Sequence, residues 1–168
     1  MPESNPSNRE PIIAELRNMH TSKLKILDVG FGYGNFGELI KLDLRKRTHL
    51  TGIEIFPKYK NSKWNYYDNI IIGDILTEID TLSKYDVILA IDIIEHIKKK
   101  KALCLLDRFR NKCEILIISI PIIDYPQGEV YGNKYEAHLA TWNINEFLNL
   151  GGELLYFDEI IGIFKFGT

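Results

Sequence analysis

The fold of this chain is decided by the segment LKILDVGFGYGNFG, residues 24–37. An apolar run, Leu24–Val29, ends in glycines at every second position, Gly30 to Gly34, and a segment with helical character follows. Glycine permits a sharp turn and a close approach of a ligand to the main chain. The start of the following helix presents unpaired N–H groups and a partial positive charge. We therefore expect an anionic group of a ligand to lie at this turn.

Short runs rich in Ile, Leu and Val alternate with longer amphipathic segments on either side of this turn. The runs predicted as strands are Leu24–Val29, His49–Ile55, Asn69–Ile72, Tyr85–Ile91 and Glu114–Ile120. The segments predicted as helices are Glu10–His20, Phe36–Arg47, Ile75–Leu82 and Glu95–Asn111, the last with its apolar positions at Ile97, Leu103, Leu106 and Phe109. Such an alternation indicates parallel strands buried on both faces and joined by right-handed crossovers.

The pattern changes after Pro121. The segment Pro121–Thr141 shows no clear periodicity, and a loop of this length in a compact domain is usually functional or mobile. A short helix, Asn143–Leu150, and two apolar runs, Glu153–Phe157 and Ile160–Phe166, complete the chain. The tight connection between these runs favours an antiparallel hairpin. We predict an α/β fold: a Rossmann-like doubly wound sheet of seven strands, five parallel strands followed by this hairpin.

Composition limits the classes of function. The chain has 168 residues, about one domain, and a formal net charge of −2 from 21 basic and 23 acidic residues. That balance argues against a dedicated duplex-binding protein, which usually carries a basic stripe. No apolar run reaches the ~18–20 residues of a membrane-spanning helix. The polar residues Met1–Glu10 predict a frayed leader, and Cys104 and Cys113 are expected to be buried thiols in a reduced, cytosolic protein.

Two classes of cofactor compete for the glycine-rich turn. Gly32–Gly37 matches the dinucleotide-binding pattern, with Glu54 about 20 residues further on, as that pattern requires. The first glycine of a dinucleotide turn should directly follow the strand, however, and Gly30 holds that place, with Asp28 inside the strand itself.

The complete set of motifs resembles the class I S-adenosylmethionine-dependent methyltransferases, of the type that acts on small molecules. Their first motif is matched by Asp28, Gly30, Gly32 and Gly34, and their acid at the end of the second strand by Glu54. Asp74 matches the acid beyond the third strand, and the segment Tyr85–Ile97 matches the fourth motif. The resemblance implies two regions: an N-terminal leader and helix, residues 1–22, and a single S-adenosylmethionine-binding domain, residues 23–168.

The resemblance also implies roles for the matched residues. Glu54, next to Ile55, would accept hydrogen bonds from the two ribose hydroxyls. Asp74 would accept from the adenine amine, with Ile75 and Phe56 as apolar walls. The cationic amino end of the cofactor would lie near Asp28 and the main chain of residues 90–92. Plainer interpretations stay open: Glu54 and Asp74 as strand-end or capping acids, and Asp92 as a helix N-cap.

The methyl acceptor is less well defined by the sequence. The chain lacks the Asn/Asp-Pro-Pro-aromatic motif of enzymes that methylate adenine or glutamine, and instead carries Asp92-Ile93-Ile94-Glu95-His96. We predict His138 as a catalytic base and His96 as a second active-site residue, against the alternatives that His96 is structural and that His138 and Trp142 pin the loop onto the sheet. Asp124, Glu136 and His138 form a candidate metal set of poor spacing, so no metal is predicted.

The run Lys98–Lys101 predicts a solvated helix face, with recognition of a phosphate-bearing acceptor as the alternative, supported by the nearby Arg108, Arg110 and Lys112. The leading hypothesis is methyl transfer to oxygen or nitrogen of a small-molecule or glycan-like acceptor by a cytoplasmic monomer or homodimer. The alternatives are an RNA methyltransferase, a non-catalytic subunit with this fold that supports a partner, and a nicotinamide oxidoreductase, which would lack a substrate domain.

Overall fold

Seven strands form one sheet in the computed structural model, which describes residues 5–19, 21–44 and 48–167. They are β1 (Leu24–Val29), β2 (Thr48–Glu54), β3 (Asn69–Ile72), β4 (Tyr85–Ile91), β5 (Cys113–Pro121), β6 (Glu153–Phe157) and β7 (Ile161–Phe166). The order across the sheet is β3-β2-β1-β4-β5-β7-β6. Neighbours among β1 to β5 pair in parallel, whereas β7 pairs antiparallel with both β5 and β6. The predicted fold class is confirmed.

Five α-helices lie among the described residues: α1 (Arg9–Asn18), α2 (Asn35–Leu44), α3 (Ile75–Glu78), α4 (Lys99–Arg110) and α5 (Ile144–Asn149). The last predicted residue of α1, His20, and the last three of α2, residues 45–47, lie outside the described residues. The predicted extension of α3 to Leu82 is wrong, because the helix ends at Glu78. Of the helices described, none is both long and apolar enough to cross a membrane.

Helix α4 begins later than predicted. Residues Ile94–His96 form a separate 3-10 turn, and Ile97 is extended, with φ −113° and ψ 134°, before α4 starts at Lys99. The side chains that α4 buries are Ala102, Leu105, Leu106 and Phe109, so the expected apolar position at Leu103 is wrong. The shifted start places His96 at the end of the 3-10 turn that follows β4, outside α4.

The sheet separates two apolar clusters, as expected for a doubly wound fold. Alternate residues of β4 face opposite ways: Val87 and Leu89 join the cluster under α1 and α2, and Ile88 and Ala90 join the cluster under α4 and α5. This period of two follows from the pleat of a strand. Because both faces are covered, β4 is apolar from Val87 to Ile91.

The N-terminal segment is not a frayed leader within the described residues. The side chain of Asn5 accepts a hydrogen bond from the main-chain N–H of Ser7 and caps a 3-10 turn, Pro6–Asn8. Helix α1 follows directly and buries Ile12 and Leu16 completely. Residues 1–4 lie outside the described residues. The polar composition of this segment predicted no ordered structure, but residues Pro6–Asn8 form a turn, and Asn8 is completely buried.

The two cysteines differ from each other. Cys104 is exposed on α4, so the expectation of a buried thiol is wrong at that position, since it lies on the solvent side of the helix. Cys113 is half-buried, its Sγ donates to the carbonyl oxygen of Phe109, and burial raises the pKa of its thiol to about 11. Both are free cysteines.

The corrected buried face of α4 yields a stability prediction. Phe109 is completely buried, whereas Leu103 is 37% exposed. Phe109→Ala should lower the free energy of unfolding by about 3–5 kcal/mol, because it removes a large apolar side chain and leaves a cavity. Leu103→Ala, the matched control on the same helix, should change it by about 0.5 kcal/mol or less. Urea unfolding measures both, and equal losses would contradict the assigned face.

Candidate functional site

The glycine-rich turn requires glycine for a physical reason. Gly30, Gly32 and Gly34 have φ of +63°, +52° and +83°, in the left-handed region that other residues rarely adopt. A Cβ on Gly30 would lie 2.0 Å from Cδ1 of Ile93, which follows β4. The turn therefore combines left-handed backbone with close packing between the ends of β1 and β4, so a larger residue at Gly30 would strain the backbone and displace the Ile93 side chain.

Glu54, the last residue of β2, holds the turn in place. Its Oε2 accepts a hydrogen bond of 2.8 Å from the main-chain N–H of Gly32, and its Oε1 accepts one of 2.8 Å from the N–H of Phe56. Burial raises the pKa of this carboxyl, and the two N–H donors oppose that shift. Since each carboxylate oxygen has a further lone pair, Glu54 can still accept from a ligand hydroxyl.

Asp28 is buried beside the same turn. Its Oδ2 accepts a hydrogen bond of 2.6 Å from the hydroxyl of Tyr67, whose oxygen in turn accepts one from the N–H of Gly37. Burial raises the pKa of the Asp28 carboxyl to about 7, against the lowering effect of the Tyr67 hydroxyl, and the charge of Glu54 raises it further. Asp28 thus links β1 to the start of α2 through one tyrosine.

A first cavity of about 360 Å³ opens at the carboxyl ends of these strands. It is lined by most of the residues predicted to bind a cofactor, namely Asp28, Gly30, Gly32, Glu54, Ile55, Asp74, Ile75 and Asp92. Gly34 and Phe56 are not among its lining residues. Gly34 instead joins the turn to α2, because its carbonyl oxygen accepts a hydrogen bond from the N–H of Glu38. The structure brings the predicted residues together, and their binding of a ligand stays a prediction.

Asp74 caps α3 while it lines this cavity. Its Oδ1 accepts a hydrogen bond of 2.9 Å from the main-chain N–H of Leu76. The capping interpretation is therefore confirmed. A carboxylate accepts several hydrogen bonds, so Asp74 can cap α3 and also accept one from a ligand donor such as an exocyclic amine.

Asp92 is not a helix N-cap. Its φ of +53° is left-handed, and its carboxylate accepts from the Ser119 hydroxyl at 2.8 Å and from the Asn8 amide at 3.1 and 3.3 Å. The N–H of Asn5 also donates to it, at 3.4 Å. The expected capping is wrong because the carboxylate turns away from the following turn and toward these donors. Asp92 instead fastens the N-terminal segment to the ends of β4 and β5.

The opposite wall of the first cavity contains residues that the sequence did not reveal. The hydroxyl of Tyr59 donates to Oε1 of Glu136 at 2.8 Å, and the amide of Asn133 donates to the Tyr59 oxygen at 3.0 Å. All three side chains are buried. Glu136 belongs to the segment considered for the acceptor site, but Tyr59 and Asn133 occur in no periodic pattern or motif. Tyr59 reaches this wall from the 3-10 turn after β2, and the loop after β5 brings Asn133 and Glu136 to it.

His96 and His138 lie side by side, with their ring centroids 4.9 Å apart. The N–H groups of Leu139 and Ala140 both donate to the carbonyl oxygen of Glu95 and hold the loop against the turn after β4. Burial, and then the neighbouring His138, lower the pKa of His96 to about 4, and burial also lowers the pKa of His138. Both rings are therefore neutral near pH 7. The sequence predicts His96 and His138 as separate active-site residues, and the structure shows that they are neighbours.

A second cavity of about 500 Å³ adjoins the first, and the two share Asp92 and His96. Its other lining residues include Asn5 and Arg9 of the N-terminal segment and Tyr125, Tyr131 and His138 of the loop. Trp142 is not among them. It is buried in the core against Phe147, which confirms for this residue the interpretation that it pins the loop.

Within the described ranges, the group of side chains close enough to share a metal ion is Glu95, His96 and His138, with one potential ligand atom from each within 4.8 Å of the others. This group differs from the set considered on the sequence, Asp124, Glu136 and His138. Glu95 was missed because a single glutamate in an apolar segment carries no signal that its side chain turns inward.

Solved structures with the same architecture occur among methyltransferases. Magnesium protoporphyrin IX methyltransferase (ChlM) from Synechocystis PCC 6803, with bound SAM, matches with a TM-score of 0.66 and 13% identity over 95% of this chain and 77% of that chain. The small RNA methyltransferase HEN1 matches with a TM-score of 0.66 and 18% identity over 96% of this chain and 26% of that chain. The chain has the class I methyltransferase fold.

Proteins with the same fold can catalyse different reactions, so this fold does not determine the reaction of the chain. A structure from Rhodobacter sphaeroides, provisionally described as Zn-dependent alcohol dehydrogenases, matches with a TM-score of 0.70 and 11% identity over 97% of this chain and 90% of that chain. No protein-family model and no curated protein matches the sequence. The function has to be inferred from the site.

All four lysines of the run Lys98–Lys101 are exposed, as predicted for a solvated face, but their contacts differ. Lys98 and Lys101 line the first cavity. Lys99 donates to the carbonyl oxygen of Thr141, lies 4.7 Å above the Trp142 ring and pairs with Glu146. The nearby basic residues have structural contacts too: Arg108 pairs with Asp80, and Arg110 and Lys112 donate to main-chain carbonyl oxygens. The basic footprint at the cavity is therefore smaller than the sequence suggested.

The buried carboxyl of Asp28 yields a pH prediction. Its pKa is near 3.9 in the unfolded chain and about 7 in the folded chain, so the stability it contributes is present below about pH 4 and lost as the pH rises through 7. Asp28→Asn keeps an acceptor for Tyr67 and has no proton to lose. The free energy of unfolding of this variant, relative to the original chain, should increase by about 2 kcal/mol from pH 5 to pH 7.

Urea unfolding at several pH values measures this difference, and Asp107→Asn, at an exposed position on α4, is the matched control. Curves for the Asp28 variant that run parallel to those of the original chain would contradict the shifted pKa.

Proposed function

We propose that this chain transfers a methyl group from S-adenosylmethionine to oxygen or nitrogen of a small-molecule or glycan-like acceptor. One observation supports the proposal: the cavity at the glycine-rich turn brings together three acids, Asp28, Glu54 and Asp74, and it shares Asp92 and His96 with a second cavity. A reaction between two ligands needs two such adjoining spaces.

The polar groups of the first cavity match the parts of S-adenosylmethionine in order. Glu54 accepts from the ribose hydroxyls, and the Glu54 oxygens are already oriented by the N–H groups of Gly32 and Phe56. Asp74 accepts from the adenine amine, beside the apolar side chain of Ile75. The cationic amino end of the methionine part lies toward Asp28, where a carboxylate surrounded by low-dielectric protein attracts a positive charge strongly.

The acceptor enters from the second cavity. Methyl transfer is an in-line displacement: a lone pair of the acceptor forms a bond to the methyl carbon while the carbon–sulfur bond breaks. Fixing the two reactants in line supplies much of the rate enhancement. His96 stands between the cavities and His138 next to it, and a neutral imidazole can take up the proton of a hydroxyl acceptor. The predicted roles of both histidines are part of this proposal, as are a cytoplasmic location and a monomeric or homodimeric state.

The choice between S-adenosylmethionine and a nicotinamide cofactor is tested by titration calorimetry. Purified protein should bind S-adenosylhomocysteine and not NAD. Glu54→Gln should weaken the binding of S-adenosylhomocysteine by about 1.5–3 kcal/mol, because it removes the charge that strengthens the hydrogen bonds from the ribose. Glu153→Gln, at an exposed position on β6, is the matched control and should bind as the original chain does.

Binding of NAD alone would overturn the proposal in favour of an oxidoreductase. Binding of neither compound would favour a non-catalytic subunit. Unchanged affinity in Glu54→Gln would mean that β2 does not hold the ribose.

An RNA acceptor is the second candidate, because Lys98 and Lys101 line the first cavity and one structure of the same fold is a small RNA methyltransferase. If RNA is the acceptor, binding should weaken steeply with salt, and Lys98→Ala with Lys101→Ala should reduce the slope of log K against log[salt] by about 0.7 for each phosphate that the lysines no longer neutralise. With a small-molecule acceptor, the double variant should bind single-stranded RNA as weakly as the original chain. Filter binding at several salt concentrations separates the two outcomes.

A further inference from the structure

Glu95 is a buried carboxyl with an unsatisfied oxygen. The residue is 2% exposed, and its Oε2 has no hydrogen-bond partner. A buried carboxylate oxygen without a donor is costly, so a native structure that keeps one calls for a partner outside the chain. The side chain lines the second cavity together with His96 and His138, where such a partner can reach it.

In both histidines, Nδ1 lies within hydrogen-bond distance of a main-chain carbonyl oxygen. Nδ1 of His96 lies 3.3 Å from the carbonyl oxygen of Ala137, and Nδ1 of His138 lies 2.6 Å from that of Tyr125. A carbonyl oxygen only accepts, so in each ring Nδ1 carries the hydrogen and Nε2 carries the lone pair. Metal-binding histidines show this arrangement, in which one nitrogen donates to a carbonyl and thereby orients the other toward the ion.

The main chain holds these side chains in position. The Glu95 carbonyl oxygen accepts from Leu139 and Ala140, and the N–H of His138 donates to the carbonyl oxygen of Gln127 at 2.9 Å. These hydrogen bonds fix the loop on both sides of His138. The three side chains therefore converge without a ligand present, which lowers the conformational cost of binding one.

We propose that Glu95, His96 and His138 bind one divalent transition-metal ion at the second cavity, and that the hydroxyl of the acceptor occupies an open coordination position of that ion. Two imidazole nitrogens and one carboxylate oxygen suit Zn²⁺, Fe²⁺, Co²⁺ or Mn²⁺ better than Ca²⁺ or Mg²⁺, which prefer oxygen ligands throughout. Three protein ligands leave positions open for a substrate. The role in methyl transfer rests on the proposed function, whereas the metal site itself does not.

The proposal selects oxygen over nitrogen as the methylated atom. A hydroxyl bound to a divalent ion releases its proton to solvent water more readily, because the ion stabilises the oxygen anion. The oxygen lone pair then forms the bond to the methyl carbon while the electrons of the carbon–sulfur bond pass to sulfur, giving S-adenosylhomocysteine. The ion changes neither its charge nor its oxidation state. When the ion is bound, His96 and His138 act as its ligands, and this role replaces the role of base that the proposed function gives them without an ion.

The test is binding of Co²⁺ to the full chain after removal of metal with a chelator. Calorimetry should show one ion for each chain, and visible absorption should report coordination by nitrogen and oxygen ligands. His138→Asn and Glu95→Gln should weaken binding at least tenfold. Mg²⁺ should bind more weakly than Co²⁺. His49→Asn, which removes a partly exposed histidine on β2, is the matched control and should bind Co²⁺ as the original chain does.

Failure of the original chain to bind Co²⁺, or equal affinity in His138→Asn, would overturn the metal site. His138 is half-buried, so its variant decides the outcome if Glu95→Gln does not fold. Titration of the same samples with S-adenosylhomocysteine keeps the two proposals apart. Cofactor binding without Co²⁺ binding overturns the metal site and leaves methyl transfer standing. Co²⁺ binding without cofactor binding supports the metal site and overturns its role in methyl transfer.

Discussion

The site depends on the position of Gly32, which is held from both sides. Its N–H donates to the Glu54 carboxylate, and its carbonyl oxygen accepts a hydrogen bond of 2.9 Å from the indole N–H of Trp64. A left-handed turn is otherwise unfavourable for the chain, since it leaves main-chain groups without the partners that a strand or helix supplies. These two bonds fix the turn between β1 and α2, and they also orient Glu54 toward the first cavity.

The side of the site that faces away from the turn is built by segments outside the strands and longer helices. Asp92 receives hydrogen bonds from Asn8 and Asn5 of the N-terminal segment and from Ser119 of β5. The main-chain carbonyl oxygen of Glu95 accepts hydrogen bonds from the N–H groups of Leu139 and Ala140 in the loop after β5. The end of β4 thus gathers the N-terminal segment and the loop around the second cavity. In a doubly wound sheet the strands supply the cofactor side, and such added segments are free to vary with the acceptor.

Prediction from sequence succeeded where the controlling physics is local. The parallel strands, the terminal hairpin and the short helix α5 before it all follow from runs of fewer than ten residues. It failed where a distant contact overrode the local pattern. Asp92 precedes a turn as a capping residue would, but its carboxylate bonds to Asn8 and Ser119 instead. Leu103 fits an apolar spacing, but α4 packs on the sheet through Ala102, Leu105, Leu106 and Phe109, and Leu103 is left exposed.

The glycine-rich turn can be recognised from the sequence alone, because its three left-handed positions admit hardly any other residue, and so can the acids at the strand ends that line the first cavity. The meeting of Tyr59 and Glu136 on one wall, and of Glu95 and His96 with His138 on another, follows only from the tertiary fold. Residues this far apart in the chain are brought together by the path of the loop after β5. That path depends on individual main-chain hydrogen bonds, to Glu95 and to Gln127, which leave no periodic trace in the sequence.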